Sequence, residues 1–164
     1  MRIALLAMMI LALVAVAACS PRTPAPADSF AIYLLALAIT PQQLAMLSHL
    51  ELGAPFLSAS EIAGYTWATH AIELTATGYE KLRSLSVPVS GTAFAVCVGG
   101  QPVYAGAFWP GLSSLSFDGV IIDPLRVTTL SPVMHIELGY PTTSYFTGAD
   151  PRIQQALQSA GKLR

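Results

Sequence analysis

The stretch AFAVCVGGQPVYAGAF, Ala93 to Phe108, decides the fold. Ala93 to Val98 and Pro102 to Phe108 are apolar runs of strand length, and the Gly99-Gly100 pair between them tolerates the positive φ that a tight hairpin turn needs. Two adjacent antiparallel strands follow, and the rest of the chain must pack around them.

Upstream, Thr77-x-x-Glu80 has the spacing of a capping box and opens a helix that Pro88 stops. Tyr79, Leu82 and Leu85 or Ser86 line one side of that helix, and Glu80, Lys81 and Arg83 mark the other. From Thr66 to Thr75, Ala68, His70, Ile72 and Leu74 alternate with Trp67, Thr69, Ala71 and Glu73, the period of a strand. Ser58-x-x-Glu61 is a second capping pattern, but Gly64 follows too soon for more than a turn or two. Phe30 to Ile39 is a wholly apolar run suited to a central strand. Thr40-Pro41-Gln42-Gln43 then starts a short helix to about Ser48, with Pro41 at the first helical position.

Downstream, Leu115 to Ile122 and Val133 to Leu138 are further strands, and Asp150-Pro151 caps a last helix that ends before Gly161. Strands interleaved with helices around a tight hairpin predict an α+β fold: a mostly antiparallel sheet with helices packed on one face. A single domain over residues 29–164 is expected, since a chain of this size buries a core without disulfides or metal staples.

Composition narrows the function. The chain has 164 residues, 54% hydrophobic and 10% charged, with a formal net charge of −1. Its basic residues are scattered, so it lacks the electrostatic footprint of a nucleic-acid binder. The apolar excess is concentrated at the front. Met1-Arg2 followed by the apolar run Ile3 to Ala18 has the pattern of a secretory signal and is short for a membrane span. Ser20 to Asp28, SPRTPAPAD, has the proline-rich composition of a semi-extended tether. The expected organisation is therefore a signal over 1–18, a tether over 19–28 and the folded domain over 29–164.

Two resemblances carry the reading further. Val16-Ala17-Ala18-Cys19 resembles the lipobox of bacterial lipoproteins. It implies cleavage before Cys19, a diacylglycerol thioether on that residue, palmitate-type acyl chains and a position on the extracytoplasmic face of a cell membrane. Lipid chains would then replace the discarded helix as anchor. Ser58 to Asp123, about two-fifths of the chain, holds a capped turn, a strand ending HAIELT, the helix TGYEKLRSL, the strand FAVCV, the hairpin GGQPVYAGAF and the later SLSFDGVII. That order resembles the head subdomain of the first periplasmic region of SecD, with Thr77-Gly78, Gly99-Gly100 and Val103-Tyr104-Ala105-Gly106 in the corresponding places. The sequence carries neither the later membrane spans nor the second periplasmic half of that family. The resemblance therefore implies a head-like extracytoplasmic domain contacting polypeptide or envelope partners, and does not imply proton-driven export.

Signals for chemistry are sparse. His135 and Glu137, two residues apart on an expected strand, would share a face, and His70 or Glu73 would supply a third metal ligand. The plainer account is a histidine beside a glutamate on a sheet surface, since no HExxH, paired CxxC or carboxylate cluster supports a metal-dependent hydrolase. Gly111-Leu112-Ser113-Ser114-Leu115 lacks the second glycine of a nucleophile elbow. Neither GxGxxG nor GxxxxGK[ST] occurs, so no nucleotide cofactor is indicated. Cys97, in an apolar run, reads as a buried inert thiol.

Binding is better supported. Phe108-Trp109-Pro110-Gly111, with Tyr104 upstream, places aromatic rings at a strand end and loop, where such rings supply contact area at low entropic cost. Tyr140-Pro141 and Ser144-Tyr145-Phe146 form a second aromatic loop group. The expectation is a non-enzymatic, lipid-anchored envelope protein that uses Tyr104, Phe108 and Trp109 to bind a protein or envelope ligand, with no metal or cofactor. The alternatives are a hydrolase built on His70, Glu73, His135 and Glu137, and a structural subunit of an envelope assembly.

Overall fold

A computed structural model describes residues 29–35, 52–142 and 149–164. In chain order its strands are β1 (Phe30–Leu34), β2 (Leu57–Ser58), β3 (Ile62–Thr66), β4 (Ala71–Leu74), β5 (Thr92–Val98), β6 (Gln101–Phe108), β7 (Val120–Ile122), β8 (Val133–His135) and β9 (Glu137–Leu138). Helix α1 (Ala76–Ser84) lies between β4 and β5, a 3-10 turn (Pro124–Arg126) follows β7, and helix α2 (Pro151–Ser159) follows β9. The fold is α+β. No helix among the described residues is long and apolar enough to cross a membrane.

The β5–β6 hairpin forms as the sequence predicts. Val98 pairs with Gln101 and Thr92 with Phe108, and a register shift lies between Val96 and Cys97. Gly99 and Gly100 have φ of 58° and 78°. Two successive positive values fit the twist of the flanking strands, and two glycines adopt them without the Cβ penalty.

The strand pairing is mostly antiparallel, as expected, but the expectation of one sheet is corrected. The described residues form two sheets: a six-stranded one in the order β2-β1-β5-β6-β7-β9 and a three-stranded antiparallel one in the order β3-β4-β8. The larger is mixed, because β7 runs parallel to β6, with Ala107 opposite Ile121. After Phe108 the chain makes an irregular crossover before β7 instead of a tight turn, which is what a parallel pair requires.

The expected strand from Val133 to Leu138 divides at Ile136. Met134 pairs with Ile72 in the small sheet and Leu138 with Val120 in the large one. Between them Ile136 is buried and its N–H donates to the His70 carbonyl at 3.2 Å. The strand expected from Thr66 to Thr75 is instead a hairpin. Residues 67–70 turn, His70 takes φ of 50°, and Tyr65 returns to pair with Ile72. Of Leu115 to Ile122 only the last three residues are strand.

Capping chemistry sets both helices. Asp150 Oδ1 accepts the Arg152 N–H at 2.8 Å, Pro151 opens α2, and Gly161 has φ of 65°, as expected for this segment. Helix α1 is capped two residues before the expected Thr77. Thr75 is its N-cap, with Oγ1 accepting from Gly78 N at 3.2 Å while donating to the Glu61 carbonyl at the same distance.

The main core joins inward residues of both sheets to Leu82 of α1 and Ile153, Ala156 and Leu157 of α2. Phe94 and Phe108 meet at 5.1 Å between ring centroids. Gly106 lets β7 come close: a Cβ there would lie 2.5 Å from the Val120 carbonyl and 2.6 Å from the Phe94 ring. Alternation along β1 and β5 sends Ala31, Tyr33, Ala95 and Cys97 to the opposite face, where they form a second buried cluster. The Cys97 thiol is fully buried, and burial pushes it up to about 12. The predicted signal, lipidated Cys19 and tether, the end of the first strand with the helix near Ser48, and Ser144-Tyr145-Phe146 all lie outside the described residues.

Candidate binding surface

The structure divides the three predicted aromatic residues. Strand alternation turns Tyr104 and Phe108 inward, where they are 4% and 0% exposed, so their ring area serves packing and is not available to a ligand. This corrects their assignment as binding residues. Trp109, one residue past the strand, is half-buried at the surface. Its backbone N–H donates to the Ile122 carbonyl at 2.9 Å, and its ring stacks on Phe117 with centroids 5.2 Å apart and planes 21° from parallel. Gly91, at φ of 77°, passes beneath it so closely that a Cβ would lie 2.5 Å from the indole.

The loops display aliphatic side chains. Leu112 is 85% exposed, and Val89, Leu115, Leu125 and Leu130 are all exposed. Local hydrogen bonds fix several of them. Ser113 Oγ donates to the Val89 carbonyl at 2.7 Å and accepts the Leu115 N–H at 3.1 Å, tying the loop after Pro110 to the segment before β5. Asp123 Oδ1 accepts the Leu125 N–H at 3.0 Å, capping the 3-10 turn that holds Leu125 outward.

Between that turn and α1 lies a groove of about 260 Å³, with Leu82, Leu85, Val87, Val127, Pro110 and Leu125 among its walls. Tyr79 and Arg83 also line it, and Arg83 is 68% exposed and paired only loosely with Glu80 at 3.3 Å. Apolar walls with a cation at the rim suit an apolar group that carries a neighbouring negative charge. Sequence reading missed Val89, Leu112, Leu115 and Leu125. For Val89, Leu112 and Leu125 the available signal was an aliphatic residue inside a Pro-, Gly- or Ser-rich loop, where no strand or helix period calls for it, whereas Leu115 reads as the start of a strand.

The four residues of the metal alternative are engaged separately. His70 Nδ1 is 3.1 Å from the Tyr65 hydroxyl, with its ring edge-on to Trp67, and burial lowers its pKa. Glu73 pairs with Arg164. Glu137 accepts two hydrogen bonds from Arg126 Nη1, at 2.8 and 2.9 Å. His135 is exposed near Asp123 and Arg126. Among the described residues no three His, Cys, Asp or Glu side chains are grouped to hold a metal ion.

A different carboxylate is strongly perturbed. Glu61 Oε2 accepts from the Ser58 hydroxyl at 2.6 Å and the Ser58 N–H at 2.8 Å, and Oε1 accepts from Lys81 Nζ at 2.8 Å. Partial burial raises its pKa, but these hydrogen bonds, with Ser60 adding to them, outweigh burial and hold the carboxyl at about 2. Its backbone carbonyl meets the α1 cap, so Glu61 joins the turn before β3 to the helix. That role is architectural. No protein-family model, curated protein or solved structure matches the chain.

Proposed function

We propose that this is a lipid-anchored protein of the extracytoplasmic face of a cell membrane, non-enzymatic, whose α+β domain binds a protein or envelope ligand. The observation that carries the binding reading is the apolar groove beside α1, with exposed Leu125 on its wall. An open groove with apolar walls is a place where an apolar group of a partner packs. The lipobox-like Val16-Ala17-Ala18-Cys19 supports the anchor and the location.

The finer plan of the domain is proposed as SecD head-like, with helices on one face of the principal sheet. The order β4, α1, the glycine-turned β5–β6 hairpin and then β7 supports it. So does the common core in which both helices bury their apolar residues.

Site-specific crosslinking in the native envelope tests the binding reading. A photoreactive residue at position 112 is expected to trap a discrete companion that is lost when Trp109→Ala and Leu125→Asp are introduced together. The same products from the double variant would refute it.

A further inference from the structure

The larger sheet has two poles. Gly99 N donates to the Ser29 carbonyl at 2.9 Å, so the junction between tether and β1 lies beside the Gly99-Gly100 turn. The groove lies at the other pole: Pro110 follows the end of β6, Val87 precedes the start of β5, and Leu125 follows β7. The eight residues of β6 hold the poles about 25 Å apart at the usual rise per strand residue. A chain rooted at Ser29 therefore presents the groove away from its root.

Size and charge narrow the occupant. About 260 Å³ is small beside the roughly 300–1,000 Å³ of sites for drug-sized ligands, and suits one large side chain. At the rim, the exposed Arg83–Glu80 pair is of the kind that contributes little, so Arg83 is readily recruited by an incoming carboxylate. Lys81 and Arg126 are held by Glu61 and Glu137.

We infer that the groove receives a large apolar side chain from an acidic segment of a partner polypeptide, in the aqueous space beyond the bilayer that holds the anchor. This rests on the lipid-anchor and binding readings above, and it names the partner class and the direction from which the partner approaches.

The test uses the full chain, purified with its anchor and reconstituted into phosphatidylcholine vesicles. The probes are fluorescein-labelled decapeptides with a central phenylalanine or leucine flanked by glutamates. Controls carry a central alanine or flanking lysines. Anisotropy is expected to show about tenfold tighter binding of the apolar, acidic peptides, the difference that burying one such side chain supplies. Leu125→Asp, a change at an exposed position, should abolish it, and Arg83→Glu should shift preference to the lysine-flanked peptide. Equal binding of all peptides, no binding, or indifference to both substitutions would overturn the inference.

Orientation is read in parallel. The chain has two tryptophans, so Trp67→Phe leaves Trp109 as the sole indole. Its emission should be unchanged in vesicles with brominated acyl chains, whereas quenching would make the bilayer the occupant and overturn the inference. Failure of the anchor reading shows separately, as a chain whose mass carries no acyl groups.

Discussion

Replacing Glu61 by glutamine removes a charge and little else, since the side chain keeps its shape and an oxygen able to accept from Ser58. What is lost is the carboxylate's attraction for Lys81 and its stronger bonds to the Ser58 hydroxyl and N–H. The carboxyl falls from an ordinary 4.5 to about 2 on folding. A shift of that size corresponds to a ceiling of about 3 kcal/mol. Glu61 is only 12% exposed but Lys81 is 40% exposed, so solvent screening reduces the expectation to about 1–2 kcal/mol. Because the folded pKa lies below the unfolded one, this stability is fully present above about pH 4.5 and is lost as pH falls towards about 2. Urea unfolding of the wild type and Glu61→Gln should therefore differ by about 1–2 kcal/mol at pH 7, with the gap clearly reduced at pH 2.5 and closing as pH falls through about 2. Asp150 also has a lowered pKa, mainly through its hydrogen bond with Arg152, but it is common to both proteins and cancels in the difference. A gap that persists unchanged at pH 2.5, or no gap at pH 7, would refute the assignment of Glu61 as the charged joint between the turn before β3 and α1.

Other positions give sharper structural readouts. Gly106→Ala places a methyl against the Val120 carbonyl and the Phe94 ring, and should destabilise by about 1–3 kcal/mol in thermal or urea unfolding; a neutral effect would contradict the close approach of β6 and β7. Gly91→Ala sets a side chain at φ of 77° under Trp109, and should both lower stability and shift Trp109 emission, measured in a Trp67→Phe background. Cys97, fully buried with its thiol pushed up to about 12, should react with a thiol reagent at pH 8 only after unfolding. Prompt labelling of the native protein would show that its face of the sheet is open.

Local signals were legible wherever one residue type enforces one geometry. Gly99-Gly100 announced its turn, and Asp150-Pro151 announced the start of α2. The turn at residues 67–70 was hidden, because Trp67-Ala68-Thr69-His70 contains no glycine, proline or asparagine and continues the alternation of its neighbours. His70 instead enters the left-handed region itself, a conformation histidine adopts more readily than most residues. The division at Ile136 was hidden for another reason. Met134, Ile136 and Leu138 alternate as one strand would, and only their distant partners, Ile72 in one sheet and Val120 in the other, decide that the chain crosses between sheets. Adjacent Phe108 and Trp109 had to part ways at the end of β6, so one ring went to the core and one to the surface. The groove beside α1 was not legible, since it is assembled from Val87, Pro110, Leu125 and helix side chains that meet only in the folded chain.

The account stands on the anchor at Cys19, and the mass of the intact protein extracted from its native membrane measures it most directly. The predicted species begins at Cys19 and carries diacylglycerol and acyl mass on that residue. A chain that begins at Met1, or one with an unmodified Cys19 recovered from the soluble fraction, would contradict it.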